Sequence, residues 1–418
     1  MPAVAADLCI EVRWIAPMSV RSQLLEQHSL VIRDGRILDI LPTEIARTRY
    51  CASVVLQRPS HLLMPGMINA RADAALSLFR GTHSATARQP PESGADFAHD
   101  SVLLAIAEML RAGITCFSDR HQFPRETALA AIEQGIRVVV GMPVAEGRTP
   151  WAAGSAQSLT QALSFRDEYG GHPLVSTAFA PRSANELSDA TLSKLITLAD
   201  ELDAGIMIDV QAGAAEIEQS LALHGARPLQ RLWKLGLLSP ALNAVHMVQV
   251  SEDDIDLAQR TGISVSVCLQ GDLHSGHGLA PVAAFAAAGI RLGLGSAGFA
   301  ALTQDVWGEM RLAALLSNGW HGLYAATRGG AAVLGLDGEI GSLEPGKWAD
   351  LCCLDLATPA MQPVCDVLSQ VVFNGGRDLV SDVWVAGRQL LSAGELTRLD
   401  WCDVSSRGNA RVSLAANP

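Results

Sequence analysis

Eight times between residues 61 and 336 a short apolar run is followed by a segment of helical periodicity. That alternation leaves few architectures open. The runs are HLLMPGMINA, GITCFSD (113–119), IRVVVGM (136–142), LVSTAFAP (174–181), GIMIDVQ (205–211), NAVHMVQ (243–249), GISVSVCL (262–269) and RLGLGSAG (291–298). Near-continuous apolar strands are buried on both faces, as parallel strands with helical crossovers are. Between them SVLLAIAEMLRAG, DATLSKLITLADELD and SEDDIDLAQRTG read as amphipathic helices, with Ser188 and Ser251 placed to cap acidic first turns. Eight such units predict an α/β fold, a closed (β/α)8 barrel of the TIM type.

The flanks differ. Residues 7 to about 60 alternate apolar and polar with a hairpin signal at Asp34-Gly35, which predicts half-buried antiparallel strands. Residues 339 to 395 return to strands. The expected organisation is a small β-sandwich domain built from 1–60 and 339–418, beside a barrel over 61–338. The polar tail after Trp401 is expected to fray.

Composition narrows the partners. Of 418 residues, 49% are hydrophobic and 18% charged, enough for a large core. A net charge of -12 argues against nucleic acid or an anionic membrane as the partner. MPAVAADLCIEVRWIAPMS lacks the form of a secretory leader, and no apolar stretch is long enough to span a bilayer. The 8 cysteines are scattered without a CxxC pair, the pattern of buried thiols in a reducing cytoplasm. Cys352 and Cys353 should face opposite sides of one strand.

Side chains at the C-terminal ends of barrel strands face the mouth. The drawn strands bring Arg71, Asp73, Asp119, Arg182, Asp209 and Gln211 there, with His246, Gln249, Cys268, Gln270, His274 and Ser296. Such a set suits a hydrogen-bonded network, or a pocket for a polar or anionic ligand held by arginines. Cys268 with His246 and Asp209 could act as nucleophile, base and orienter, although a buried thiol is the plainer expectation. His121, His274 and His277 are expected in solvated loops, and Glu309 in a structural role.

LLMPGMINARADAALSLFRG (62–81) resembles the first barrel strand of the amidohydrolase superfamily. It is most similar to the chlorohydrolase and methylthioadenosine/S-adenosylhomocysteine deaminase branch, where the segment runs roughly LLPGLINAHTHAAMTLLRG. EIGSLEPGKWADLCCLDL and SDVWVAGRQLL also resemble that family, and the likeness extends from about residue 7 to 400. It implies one or two divalent metals at the mouth, a bound hydroxide as nucleophile and a carboxylate shuttling protons. Carried over position by position, the strand-one histidine pair falls on Arg71 and Asp73. The strand-five ligand of IHIHLAET falls on Asp209, and its glutamate on Ala212. The strand-six histidine is kept as His246. The strand-eight aspartate falls on Ala297, and the histidine of APHS on Arg182. Two loops read as shortened against the family, THSATARQPPESGADFAHD and the segment from Gly319 to Tyr324.

By that likeness four of five metal ligands and the acid/base are replaced. An arginine never becomes a ligand and repels a cation. The expectation is therefore no metal and no cofactor, with an Arg71–Asp salt bridge filling the space rather than a weaker site on Asp73, Asp209 and His246. The expected function is a non-catalytic relative, a pseudoenzyme, that binds a small polar or nucleoside-like molecule or partners an active relative. Its ligand would meet Arg71, Arg182, Gln211, Gln249, Cys268, Gln270 and Ser296. The alternative is a metal-independent or atypical hydrolase of C–N bonds using His246, Asp209 and Asp73. A homodimer is expected because such barrels often associate.

Overall fold

The computed structural model of the chain describes residues 3–19, 23–80, 94–297, 303–317, 319 and 321–416, with side chains as far as 410 in the last segment. Among the described residues sixteen strands fall into two sheets of eight. The first sheet comes from the two ends of the chain. It contains β1 (Val4–Ile15), β2 (Leu25–Arg33), β3 (Arg36–Pro42) and β4 (Tyr50–Pro65). The barrel follows as β5 (Met67–Ala72), β6 (Ile114–Arg120), β7 (Arg137–Val144), β8 (Val175–Pro181), β9 (Gly205–Val210), β10 (Leu242–His246), β11 (Ser264–Val267) and β12 (Arg291–Leu294). The chain then returns to the first sheet with β13 (Leu351–Asp355), β14 (Val380–Val385), β15 (Arg388–Ser392) and β16 (Glu395–Leu396).

The barrel strands pair in parallel in chain order, one for each of the eight apolar runs. Ser188 caps the helix Asp189–Leu202 through Thr191 N, and Ser251 forms a full capping box with Asp254 on the helix Glu252–Thr261. Among the described residues no helix is long and apolar enough to cross a membrane.

The terminal sheet runs β16-β15-β14-β13-β4-β1-β2-β3 and folds back on itself. Leu30, Ile32 and Ile37 from one end pack with Leu351, Cys353 and Trp384 from the other. The hairpin tips meet. Gly35 and Gly387 both have φ +74°, and a Cβ on Gly35 would lie 2.6 Å from the Ala386 carbonyl oxygen, so only glycine fits. Cys352 and Cys353 point to opposite faces, into different apolar clusters.

Three expectations need correction. The N-terminal strands are not all antiparallel, because β1 pairs β4 in parallel, with the helix Thr43–Arg49 before β4. The run HLLMPGMINA is not one strand. Its first half closes the terminal sheet as β4 and its second half opens the barrel as β5, with the break at Gly66, where a Cβ would collide with Thr115. The tail is a helix, Trp401–Ala416, held to the barrel by Arg407 Nη1, 3.0 Å from Asp100. Of the two shortened loops, residues 81–93, Asn318 and Trp320 lie outside the described residues, and His321–Tyr324 form a helical turn.

Candidate functional site at the barrel mouth

The barrel closes between β12 and β5 at the mouth. Ala297 N donates to the Arg71 carbonyl at 3.0 Å, while Gly295 N extends the β11–β12 ladder by donating to the Val267 carbonyl at 2.9 Å. Asn69 locks the seam, donating to Ser296 Oγ at 2.7 Å and accepting from Ser296 N at 3.1 Å. Ser296 thus belongs to the closure and is buried, not a free ligand contact.

Three charge pairs fill the mouth. Arg71 Nη1 lies 2.8 Å from Asp73 Oδ1 and also donates to the Ala72 carbonyl. Its Nε is buried with no partner. Arg120, at the end of β6, reaches past β8 and grips Asp209 with two bonds of 3.1 and 2.7 Å. His246, at the end of β10, stands between two carboxylates. Asp272 Oδ1 is 2.8 Å from Nδ1 and Asp209 Oδ2 is 4.0 Å from Nε2. The Asp272 contact is one of charge, since Nδ1 has no in-line hydrogen-bond acceptor.

The titration behaviour follows from these pairs. Burial would raise the Asp209 carboxyl, but Arg120, His246 and Arg71 together draw it down to about 2. Burial would lower the His246 imidazole, but Asp272 and Asp209 raise it above its ordinary value. Asp119 is pushed up to about 6 by burial, against the pull of Arg71. It accepts from Ala74 N at 3.0 Å and Thr127 Oγ1 at 3.1 Å. His121 is half-buried rather than solvated, and desolvation lowers it to about 4.

Backbone strain gathers at the same strand ends. Gln211, His246 and Met247 have φ of 53°, 75° and 51°. Each costs on the order of 1–3 kcal/mol and persists only where neighbours enforce it. Here Met247 N bonds the Val210 carbonyl at 3.1 Å, and Val248 N and Gln249 N bond that of Gln211 at 3.1 and 2.9 Å.

The other expected site residues divide. Gln211 turns into the helix layer, where its amide binds Asp254 and the Gln249 carbonyl, so its hydrogen bonds are spent on structure. Gln249 donates to the His277 carbonyl at 2.7 Å. Arg182 is 69% exposed and faces Glu186 at 3.7 Å, while Arg120 takes the Asp209 carboxylate. Cys268 is fully buried beside Met207, Val245 and Ala297, and burial raises its thiol far above the ordinary range. That removes the nucleophile–base–orienter arrangement, because a thiol held protonated does not attack. Gln270 N and Leu269 N both bond Glu309, which starts the helix Leu269–His274, and burial pushes Glu309 up to about 8. His274 is exposed, and His277 is 3.4 Å from Asp272.

Sequence reasoning missed Arg120 and Asp272. Arg120 lies one residue beyond the drawn end of its strand. Asp272 sits in GDLHSGHG, which reads as a polar loop. Its single signal was an acid four residues beyond Cys268, one helical turn past a strand end.

These residues do not fit a divalent ion. Among the described residues no three His, Cys, Asp or Glu groups are arranged to hold one. Asp209 and Asp73 already neutralise guanidinium groups, and an ion between them would meet Arg71, Arg120 and a histidine drawn toward its charged form.

Residues 62–390 match the amidohydrolase family. The chain belongs to the amidohydrolase family. Two relatives of this amidohydrolase-family chain carry the name 5-methylthioadenosine/S-adenosylhomocysteine deaminase. The protein of Teredinibacter turnerae is 34% identical, with 96% of each chain covered. That of Saccharophagus degradans is 35% identical, covering 97% of this chain and 96% of its own. Among solved structures, an adenosine deaminase from Xanthomonas campestris with bound zinc is 34% identical and superposes over all of both chains with a TM-score of 0.96. The zinc-complexed atrazine chlorohydrolase of Arthrobacter aurescens shares the fold, with a TM-score of 0.88 at 21% identity over 96% of this chain.

Proposed function

We propose that this amidohydrolase-family chain binds a small nucleoside-like molecule at its barrel mouth and does so without a divalent ion. The observation that carries the reading is the buried Arg71 guanidinium, paired with Asp73 and seconded by the Arg120–Asp209 pair. By resemblance these carboxylates stand at metal-ligand positions, and each is committed to an arginine. The names of the relatives support a nucleoside-like ligand. Metal-dependent deamination lacks its donors here, and Ala212 offers no carboxylate for proton transfer.

One observation favours a second reading. His246 has a raised pKa, a strained backbone and a carboxylate on either side, which equips it for acid/base work without a metal. The alternative is a metal-independent hydrolase of C–N bonds.

The test combines elemental analysis, calorimetry with 5′-methylthioadenosine and adenosine, and an ammonia assay on the same preparation. Saturable binding with metal far below one per chain and no ammonia is the expected result. Ammonia from metal-free protein, lost in His246→Ala, selects the second reading. Stoichiometric zinc with turnover overturns both, and failure of both nucleosides to bind removes the ligand class.

A further inference from the structure

In the terminal sheet β4 is 16 residues long, but β13, its neighbour on one side, has 5. β13 pairs only with His61–Pro65. Leu356 N still reaches the Ser60 carbonyl at 3.2 Å, and the chain then leaves the sheet. From Tyr50 to Arg58, among the described residues, β4 pairs with β1 alone. Its other edge is open over roughly 30 Å. Val54 and Val55, neighbours on opposite faces, are 55% and 53% exposed, so the described residues leave this edge uncovered. Native edges are commonly blunted by lysine or another charge. The stretch YCASVVLQ (50–57) carries none.

A groove of about 550 Å³ opens at the end of that edge, where β13 stops. Asp355 and Asp378 border it. Among the described residues of its lining the one guanidinium, that of Arg58, is spent on Asp382 through bonds of 2.8 and 2.9 Å. His61 also lines the groove and is 9% exposed. Ser60 Oγ donates its single proton to Asp355 Oδ1 at 2.9 Å, so the ring donates the 3.1 Å bond between His61 Nδ1 and Ser60 Oγ. That leaves Nε2 an unpartnered acceptor that is not shut off from the groove. Burial lowers the His61 pKa, which keeps the lone pair available. Two carboxylates and a neutral acceptor suit a side chain with several N–H donors and a positive charge.

We propose that the open edge of β4 takes an extended segment of a partner protein as an added strand, with a lysine or arginine of that segment seated in the groove beside Asp355, Asp378 and His61. Main-chain bonds along the edge hold such a segment, and the groove selects its side chain. A second copy of this chain is disfavoured as the occupant, because its net charge is -12 and it brings the same acidic groove to the contact. The surface is independent of the mouth and stands whether or not the mouth binds a nucleoside.

The probes are short labelled peptides that alternate threonine and valine around one central lysine or one central glutamate, titrated with the full chain by fluorescence anisotropy. Expected is saturable binding of the lysine peptide, at least about tenfold tighter than the glutamate peptide at low salt. The gap should narrow as salt rises. N-methylation of alternate peptide residues, in one of its two phases, should abolish binding, because only one edge of an added strand faces β4. Asp378→Asn, at an exposed position, should cut the preference for lysine several-fold. Val54→Lys, which puts a cation on the open edge, should weaken the lysine peptide even if Asp378→Asn fails to fold. No binding, equal binding of the two peptides, or indifference to N-methylation in both phases overturns the inference. So does dimerisation of the free chain in sedimentation that Val54→Lys abolishes, since the edge then belongs to a second copy.

Discussion

Replacing Arg71 with methionine keeps most of the aliphatic stem and removes the charge on which the mouth depends. The Arg71 side chain is 6% exposed and Asp73 14%, with the two 2.8 Å apart. At an effective dielectric of about 20 their gross attraction is about 6 kcal/mol. Desolvation of the guanidinium, which the methionine does not suffer, cancels a large part. Breaking a buried pair by removing one partner usually costs about 3–5 kcal/mol, and the partial exposure of Asp73 puts Arg71→Met near ~3 kcal/mol. The loss should depend on pH. Asp119 already has a raised folded pKa, so its ionised form opposes folding, and that cost is absent below its ordinary unfolded value of about 4 and grows as pH rises toward 6. Without Arg71 the carboxyl rises further and the cost continues to grow above pH 6. Chemical denaturation of the wild type, Arg71→Met, Asp73→Asn and the double variant, at mildly acidic and neutral pH, closes the cycle. Expected are a neutral-pH loss of about 3 kcal/mol, a smaller acidic loss and a coupling of about 2 kcal/mol between the two positions. A single variant within about 0.5 kcal/mol of wild type, or an additive cycle, would refute the buried charge pair and with it the case against a bound cation.

Asp272→Asn should drop the His246 pKa below its ordinary value, because burial then outweighs the remaining pull of Asp209. In the wild type the raised value adds stability below about pH 6.5 that is lost as pH rises through the folded pKa. In the variant the sign reverses, with stability present above that pH and lost as pH falls, and imidazole NMR titration with His246→Gln for assignment reads the change directly. Gly66→Ala puts a Cβ 2.1 Å from Thr115 Cγ2 at the joint between the two sheets and should cost about 1–3 kcal/mol in thermal or chemical unfolding. Thr115→Ala should restore only part of it, since Thr115 Cβ would itself lie 2.6 Å away.

Much of this protein was legible in the order of its residues. A period of strand and helix repeated eight times has one compact solution, because parallel strands buried on both faces need a helix on every crossover. The capping serines and the Asp34-Gly35 turn were readable for a local reason, since their backbone geometry depends on neighbours only a few residues away. The presence of Arg71, Asp73, Asp209 and His246 at strand ends followed from the same repeat. Which of them touch did not. Arg120 reaches Asp209 across 89 residues of sequence, and Asp272 meets His246 from a stretch that reads as a polar loop. Gln211 turned away from the mouth because a positive φ at the strand end re-aimed it, a reversal that hydrophobic patterning does not encode. The parallel pairing of β1 with β4 in the terminal sheet is likewise a long-range outcome that local patterning does not encode. Local propensity and periodicity act over a few residues and set the elements. The partner of each charge is set by which strand ends meet when the barrel closes, and only the tertiary structure decides that.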